Sequence, residues 1–335
     1  MTVLLGVALL LVVLYDALKT TLGTMGGPLT RRLAGGLWRL GLGLHRRRSS
    51  HGLLSTMGVI TVLATIGMWV TLLWTAWYLI FTGGTNAVVA DRTSLPADVS
   101  DRIYFTGFTI FTLGVGDYVP EGAVWQVVTP AASLCGLFLV TLAITYLTPL
   151  MEAVARKRRV AAHIHALGSS PAEIVTGAWD GRSCRALTAH LDMLLPDLGK
   201  LQQDHLAYPV LGYFHAGDRR QSVALGLASL DEALSVLEFG VEPGVCLSPQ
   251  DCRPIRRTMG HLLGTLESAY FRPAEHPPPV PDLELLREQG IPVVAAARFE
   301  ARLERIAERR RLLRALVEHD GWDWGTPAEP RIAAE

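Results

Sequence analysis

The chain has 335 residues, half of them hydrophobic, with a mean hydropathy of +0.29 and 31 basic against 31 acidic side chains. Uncharged runs of membrane length in so apolar a chain exclude a single soluble core and indicate a protein that is part membrane and part soluble. Neutrality is a sum of opposites: the first sixty residues hold seven Lys or Arg against Asp16 alone, whereas 81–122 is mainly acidic.

Residues 1–22 are apolar until Asp16 and Lys19. No basic stretch precedes the apolar run and no small-residue cleavage site follows it, so a first membrane helix is expected rather than a signal peptide. Asp16 and Lys19, one turn apart, are expected to pair with each other or to reach the headgroups. Gly26-Gly27-Pro28 ends the helix. Within 23–52 the arginines Arg31, Arg32, Arg39, Arg46, Arg47 and Arg48 alternate with Leu and Trp38, the composition of an interfacial amphipathic helix on anionic lipid; a simple basic loop is the alternative. Residues 53–81 hold no charged side chain and are long enough to span the hydrocarbon, with Trp69, Trp74, Trp77 and Tyr78 as an aromatic belt toward the far end.

Residues 101–111 carry Tyr104, Phe105, Phe108, Ile110 and Phe111 around a helical period, with Ser100 as the expected N-cap. The C-terminal end of this short helix brings the negative end of its dipole toward any cation nearby. Next comes Thr112-Leu113-Gly114-Val115-Gly116-Asp117-Tyr118. Alternating Gly with other residues allows positive φ at every second position, so successive carbonyls can point the same way and replace the water around a cation.

These residues resemble the T-x-G-x-G-D filter signature of potassium channels, and TLGVGDYVP is most similar to the second pore loop of two-pore-domain potassium channels. The resemblance covers about 53–151. It implies an all-α membrane protein: a potassium-channel-type pore domain over 53–151 (helix 53–81, pore helix 101–111, filter 112–117, inner helix 123–151), an extra N-terminal membrane helix over 1–22, and a helical cytosolic domain over 152–335. It also implies K+ coordination by the carbonyls of Thr112, Leu113, Gly114 and Val115, with Gly116 and Asp117 closing the outer mouth, and a homotetramer around one pore. Two positions depart from the pattern. Val115 stands where the commonest filter has an aromatic residue, and Phe108 where some bacterial pore helices have Glu. A weakly selective cation channel therefore remains the close alternative.

The third span is expected over 123–151. By resemblance, Gly136 is placed as a hinge, and Pro149, which removes a helix hydrogen bond, is expected to kink the helix at the inner gate; the other reading of Gly136 is close helix packing. Thr141, Thr145 and Thr148 share a helical face and are expected to line the cavity. The arginines before the second span and Arg156-Lys157-Arg158-Arg159 after the third both put the C-terminal domain in the cytoplasm, with the N-terminus outside and Gly83 to Ser100 extracellular in a plasma-membrane protein. No span carries Lys or Arg at every third position, which speaks against a voltage sensor.

Beyond residue 161 the pattern is mostly helical. Ser170-Pro171-Ala172-Glu173 reads as N-cap, N1 proline and N3 acid, and 273–281 as a Pro-rich linker. Cys135, Cys184, Cys246 and Cys252 show no paired spacing and are expected to be reduced. The histidines of this half are scattered, and Tyr208 to His215 is a candidate either to line a pocket for an unidentified small molecule or to face the membrane. There is no G-x-G-x-x-G, P-loop, nucleophile elbow or metal-ligand spacing. Neither an enzyme nor a nucleic-acid binder is expected, no cofactor is implied beyond the permeant ion, and a membrane-anchored adaptor with a vestigial pore loop is the rival from another class.

Overall fold

The computed structural model describes residues 1–24, 26–48 and 51–324. Met25, Ser49, Ser50, residues 325–335 and the side chains of Arg48 and Pro249, which fall within the expected lipid-binding and cytosolic segments, lie outside what is described. The chain is an all-α membrane protein with helices α1 (Thr2–Leu22), α2 (Pro28–Arg48), α3 (His51–Phe81), α4 (Val99–Ile110) and α5 (Ala123–Leu167), and an antiparallel pair of three-residue strands on either side of α4 in sequence, β1 (Val88–Ala90) and β2 (Tyr118–Pro120). After α5 come α6 (Pro171–Gly177), α7 (Ala186–Ala207), α8 (Val223–Ser235), α9 (Pro249–Tyr270), α10 (Glu284–Glu288), α11 (Ala296–Leu303) and α12 (Ala307–His319). Helices α1, α3 and α5 are long and apolar enough to cross a membrane. The described residues divide into one unit of Met1–Leu37 with Val59–Met151, and another of Trp38–Gly58 with the residues from Glu152 onward.

The first unit packs Val13 and Ala17 of α1, Trp69, Leu73 and Trp77 of α3, and Phe105 and Phe108 of α4 into one core with Leu139 of α5. Asp16 neither pairs with Lys19 nor reaches a headgroup. It is fully buried and accepts hydrogen bonds from the Leu29 N–H at 2.7 Å, the Thr30 N–H at 3.2 Å, the Thr30 hydroxyl at 2.6 Å and the Trp69 indole at 2.9 Å. The Gly26-Gly27-Pro28 turn folds α2 back so that its free amide groups and the positive end of its dipole meet this carboxylate, which satisfies a charge that burial would otherwise make costly. Lys19 donates instead to the Tyr15 hydroxyl at 3.3 Å.

Helix α4 begins earlier than expected, and its cap is Asp98 rather than Ser100. The Asp98 carboxylate accepts from the Asp101 N–H at 2.8 Å, the Asp101 carboxylate accepts from the Asp98 N–H at 3.0 Å, and the Ser100 hydroxyl donates to Asp98 at 2.9 Å. Asp98 and Asp101 stand at the spacing of a capping box, which sets the start of the helix at Val99 and leaves Ser100 inside its first turn. Helix α5 does not stop at Met151 but continues to Leu167, because Arg and Lys are good helix formers and no Gly follows until Gly168. The expected kink residue Pro149 sits within this helix, as does Pro130.

The second unit is a helical bundle. Helix α8 is buried nearly all round and carries two acids. Asp231 receives Arg309 at 2.9 Å and Arg256 at 3.0 Å, and Glu232 is held by both arms of Arg310 at 2.8 and 3.0 Å. Burial alone pushes Asp231 upward, but Arg256 and Arg309 outweigh it and keep its carboxyl below the usual range; for Glu232 burial wins and the shift is upward despite Arg310. Ser170 caps α6 by accepting from the Glu173 N–H at 3.2 Å.

Two expectations are corrected in this unit. The 273–281 stretch is not a free linker: it is strapped to α12 by Arg310 donating to the Pro279 carbonyl at 2.7 Å and by the Ala274 N–H donating to the Arg311 carbonyl at 3.2 Å. Cys184 and Cys246 form a disulfide with Cα atoms 4.8 Å apart, while Cys135 and Cys252 are free; the 62-residue separation conceals a pairing that only the fold brings together. Lys157, from the basic cluster after the third span, is buried with its Nζ donating to the Phe214 carbonyl at 2.8 Å. The Tyr208 to His215 stretch supplies Val210, Leu211, Tyr213 and Phe214 to the core of the unit. His215 Nε2 lies 3.2 Å from His51 Nδ1, and both rings pack on Trp322.

Candidate ion-conduction site

Thr112 to Asp117 leave α4 as an extended segment whose backbone alternates in handedness. Thr112, Gly114 and Gly116 have φ of 56°, 60° and 87°, and Leu113 and Val115 between them do not share the positive sign. Glycine adopts this region freely, but for Thr112 it costs roughly 1–3 kcal/mol, a strain of the kind proteins keep at functional backbone. The inner end is tied to α4 by the Thr112 N–H donating to the Thr109 carbonyl at 3.1 Å and the Leu113 N–H to the Phe108 carbonyl at 2.8 Å. At the outer end the Asp117 carbonyl accepts from the Asp91 N–H at 3.1 Å, next to the antiparallel pairing of Ala90 with Tyr118.

Helix α4 is itself clamped from both sides. The Trp74 indole of α3 donates to the Ile103 carbonyl at 3.0 Å, and the Ser133 hydroxyl of α5 to the Thr109 carbonyl at 2.9 Å. Gly107 faces the Trp74 ring, and Gly136 faces the Ile110 carbonyl so closely that a β-carbon there would overlap it. Of the two readings of Gly136, close packing thus has a direct contact behind it, whereas α5 runs through Gly136 as continuous helix. Phe108 is buried against Phe105 and Tyr104.

Such a strained loop, seated on a short helix between two membrane-length helices, has the geometry of a channel pore loop, and residues 64–153 match the family model described as "Ion channel". The chain belongs to the ion-channel family. Over 322 residues the chain is 34% identical to a Bacillus subtilis (strain 168) protein described as "Uncharacterized membrane protein YdjJ", an alignment that covers 95% of this chain and 94% of the relative. No solved structure matches it.

Two tyrosines hold the Asp117 end of this loop. The Tyr104 hydroxyl approaches the Asp117 carboxylate at 3.4 Å, and the Tyr118 hydroxyl bonds to Asp101. Arg102 was not legible as a site residue. Its guanidinium donates to the carbonyls of Phe81 at 2.8 Å, Gly84 at 3.0 Å and Thr85 at 2.6 Å, while its Nε donates to Ala97 at 3.0 Å. One side chain thereby caps the end of α3 and fixes the loop leading to α4. An arginine one turn into an aromatic helix is the only signal the sequence carries.

Leu113 is 69% exposed and Val115 48%, and neither Gly114 nor Gly116 has a neighbour within 4 Å of an added β-carbon. Thr141, Thr145 and Thr148 lie on an exposed face of α5, with the Thr141 and Thr145 hydroxyls donating to carbonyls of their own helix. Leu134, Leu137, Phe138 and Ile144 on the same helix are also exposed. On α2, Arg31, Arg32, Arg39, Arg46 and Arg47 are exposed beside Leu40 and Leu44. Among the described residues no cluster of His, Cys, Asp or Glu has the arrangement of a metal site.

Proposed function

We propose that the channel conducts K+ passively through one central pore formed by four copies of the chain, with the carbonyls of Thr112, Leu113, Gly114 and Val115 replacing the ion's hydration shell. The observation that carries this reading is the alternation of positive φ at Thr112, Gly114 and Gly116 at the C-terminal end of α4. A single copy gives one column of carbonyls, and a cation needs a ring, so identical copies must close around an axis. The exposed Leu113 and Val115 and the uncovered apolar face of α5 supply surfaces that such copies would cover. Asp117 at the outer end attracts cations, while Thr141, Thr145 and Thr148 offer a polar wall on the inner side.

The channel lies in the plasma membrane with its C-terminal unit in the cytoplasm, and the exposed arginines of α2 rest on anionic headgroups. The test is the reversal potential of purified protein in planar bilayers with K+ on one side and Na+ on the other, with Gly114→Ala as control. A value near the K+ equilibrium potential, lost in the variant, is expected. A variant-sensitive current reversing near zero would replace K+ selectivity by a weakly selective cation pore. Current indifferent to Gly114→Ala would refute the filter assignment.

A further inference from the structure

The Cys184–Cys246 bridge joins two connections of the second unit. Cys184 lies between α6 and α7, and Cys246 lies between α8 and α9, in the segment that leads to Ser248, whose hydroxyl accepts from the Asp251 N–H at the start of α9. Helices α7 and α9 pack side by side, with Leu187, Leu191 and Leu194 buried on one and Ile255, Met259 and Leu262 on the other. Packing of this kind does not need the bridge. The two thiols therefore stay neighbours once it opens, and it closes again without a search through the 62 residues of sequence between them.

The two sulfurs differ in access. Cys184 is fully buried, whereas Cys246 is half-buried. Charge does not choose between them: Arg182 and Arg185 flank Cys184 in sequence, but Asp180 accepts from the Arg182 and Ser183 N–H groups at 2.8 and 2.6 Å, and Arg185 acts electrostatically on Asp251. A thiolate arriving from solvent thus meets Cys246 Sγ, and Cys184 is the leaving group. Of the two free cysteines, Cys135 belongs to the other unit, and Cys252 is buried. Burial above all pushes the Cys252 thiol up to about 11, so it stays protonated at neutral pH and takes no part in the exchange.

We propose that Cys184–Cys246 is a reversible exchange site for a low-molecular-weight thiol. A thiolate RS⁻ attacks Cys246 Sγ, the S–S bond breaks, Cys184 leaves as a thiolate that takes a proton from water, and Cys246 carries the mixed disulfide. A second thiolate attacks the R-bearing sulfur and releases RSSR and the Cys246 thiolate, so the bridge gains two electrons and two small thiols are oxidised to one disulfide. The same steps in reverse close the bridge, with the small disulfide as oxidant. Closure ties the 241–248 segment to the start of α7, so the thiol pool around this unit sets how firmly the bundle is held. In the cytoplasm such a bond is transient, whereas in an oxidising compartment it persists. That cellular half rests on the cytoplasmic placement read above; the exchange chemistry does not.

Full-length protein in lipid nanodiscs is incubated with reduced glutathione, quenched, alkylated and mapped by peptide mass spectrometry. Glutathione is expected on Cys246 in at least tenfold excess over Cys184, and oxidised glutathione should re-form the bridge. Two variants whose unfolding temperatures verify folding separate the sulfurs: Cys184→Ser should take up glutathione from oxidised glutathione at least tenfold faster than Cys246→Ser. Adduct chiefly on Cys184, equal rates in the two variants, or a bridge that glutathione opens only after denaturation overturns the exchange site. In intact cells, acid quenching followed by alkylation should find both cysteines as thiols at rest and bridged after the thiol oxidant diamide. A bridge that is closed at rest in cells although glutathione opens it in purified protein overturns the cytoplasmic half alone, as do thiols that stay free after diamide.

Discussion

Gly136→Ala distinguishes a hinge from a close contact. The added methyl points at the carbonyl oxygen of Ile110, the last residue of α4, and the overlap is with backbone rather than with the end of a flexible side chain. Non-bonded heavy atoms settle near 3.5–4.0 Å, so either α5 or the end of α4 must retreat by more than about 1 Å. Overpacking of this kind costs about 1–3 kcal/mol, and the rigid neighbour places it toward the upper end. Thr112, whose N–H is tied to the Thr109 carbonyl in the same turn, moves with it. The control is Gly67→Ala in α3, where nothing lies within 4 Å and loss of a helical glycine is worth about 0.5–1 kcal/mol in the favourable direction. Denaturant unfolding in detergent, followed by tryptophan fluorescence, should separate the variants by about 2–4 kcal/mol, and the reversal potential of Gly136→Ala should move toward zero. If Gly136→Ala is as stable as Gly67→Ala and keeps its reversal potential while its open probability falls, the glycine serves bending and not packing.

Asp16→Ala strands the N–H groups of Leu29, Thr30 and Trp69 in a buried setting, and at about 1–3 kcal/mol per unsatisfied donor with partial relaxation the expected loss is about 3 kcal/mol; a loss under about 1 kcal/mol in the same unfolding assay would mean that α2 is held by other contacts. Thiol titration of protein denatured without reductant should find only Cys135 and Cys252, and reduction should cost about 2–4 kcal/mol of stability in the C-terminal unit, whereas four reactive thiols would contradict the Cys184–Cys246 bridge. Burial holds the His205 imidazole down to about 3 and that of His319 to about 4, so both fold neutral. The unfolded chain binds protons there first: their contribution is complete above about pH 6.5 and is lost as pH falls toward the folded values, by about 1.4 kcal/mol for His205 alone at pH 5.5. His205→Gln should flatten that part of the stability–pH curve, and an unchanged slope between pH 6.5 and 5 would refute the assignment.

The membrane class, the three spans and the filter string were legible in the chain itself, because length, absence of charge and the Gly alternation are local properties that a bilayer or a backbone turn reads directly. Ser170 announced its helix for the same reason, since a cap and its partner lie within one turn. What the chain could not show were contacts whose partners are far apart in sequence. Asp16 looked like half of an i, i+3 pair with Lys19, and only the fold-back at Gly26-Gly27-Pro28 and the approach of Trp69 made it the cap of α2. Arg102 clamping four carbonyls and the Cys184–Cys246 bridge follow the same rule. A periodic pattern tells a segment what to become, whereas a buried charge or a single hydrogen bond is decided by whichever distant group the packing brings within 3 Å.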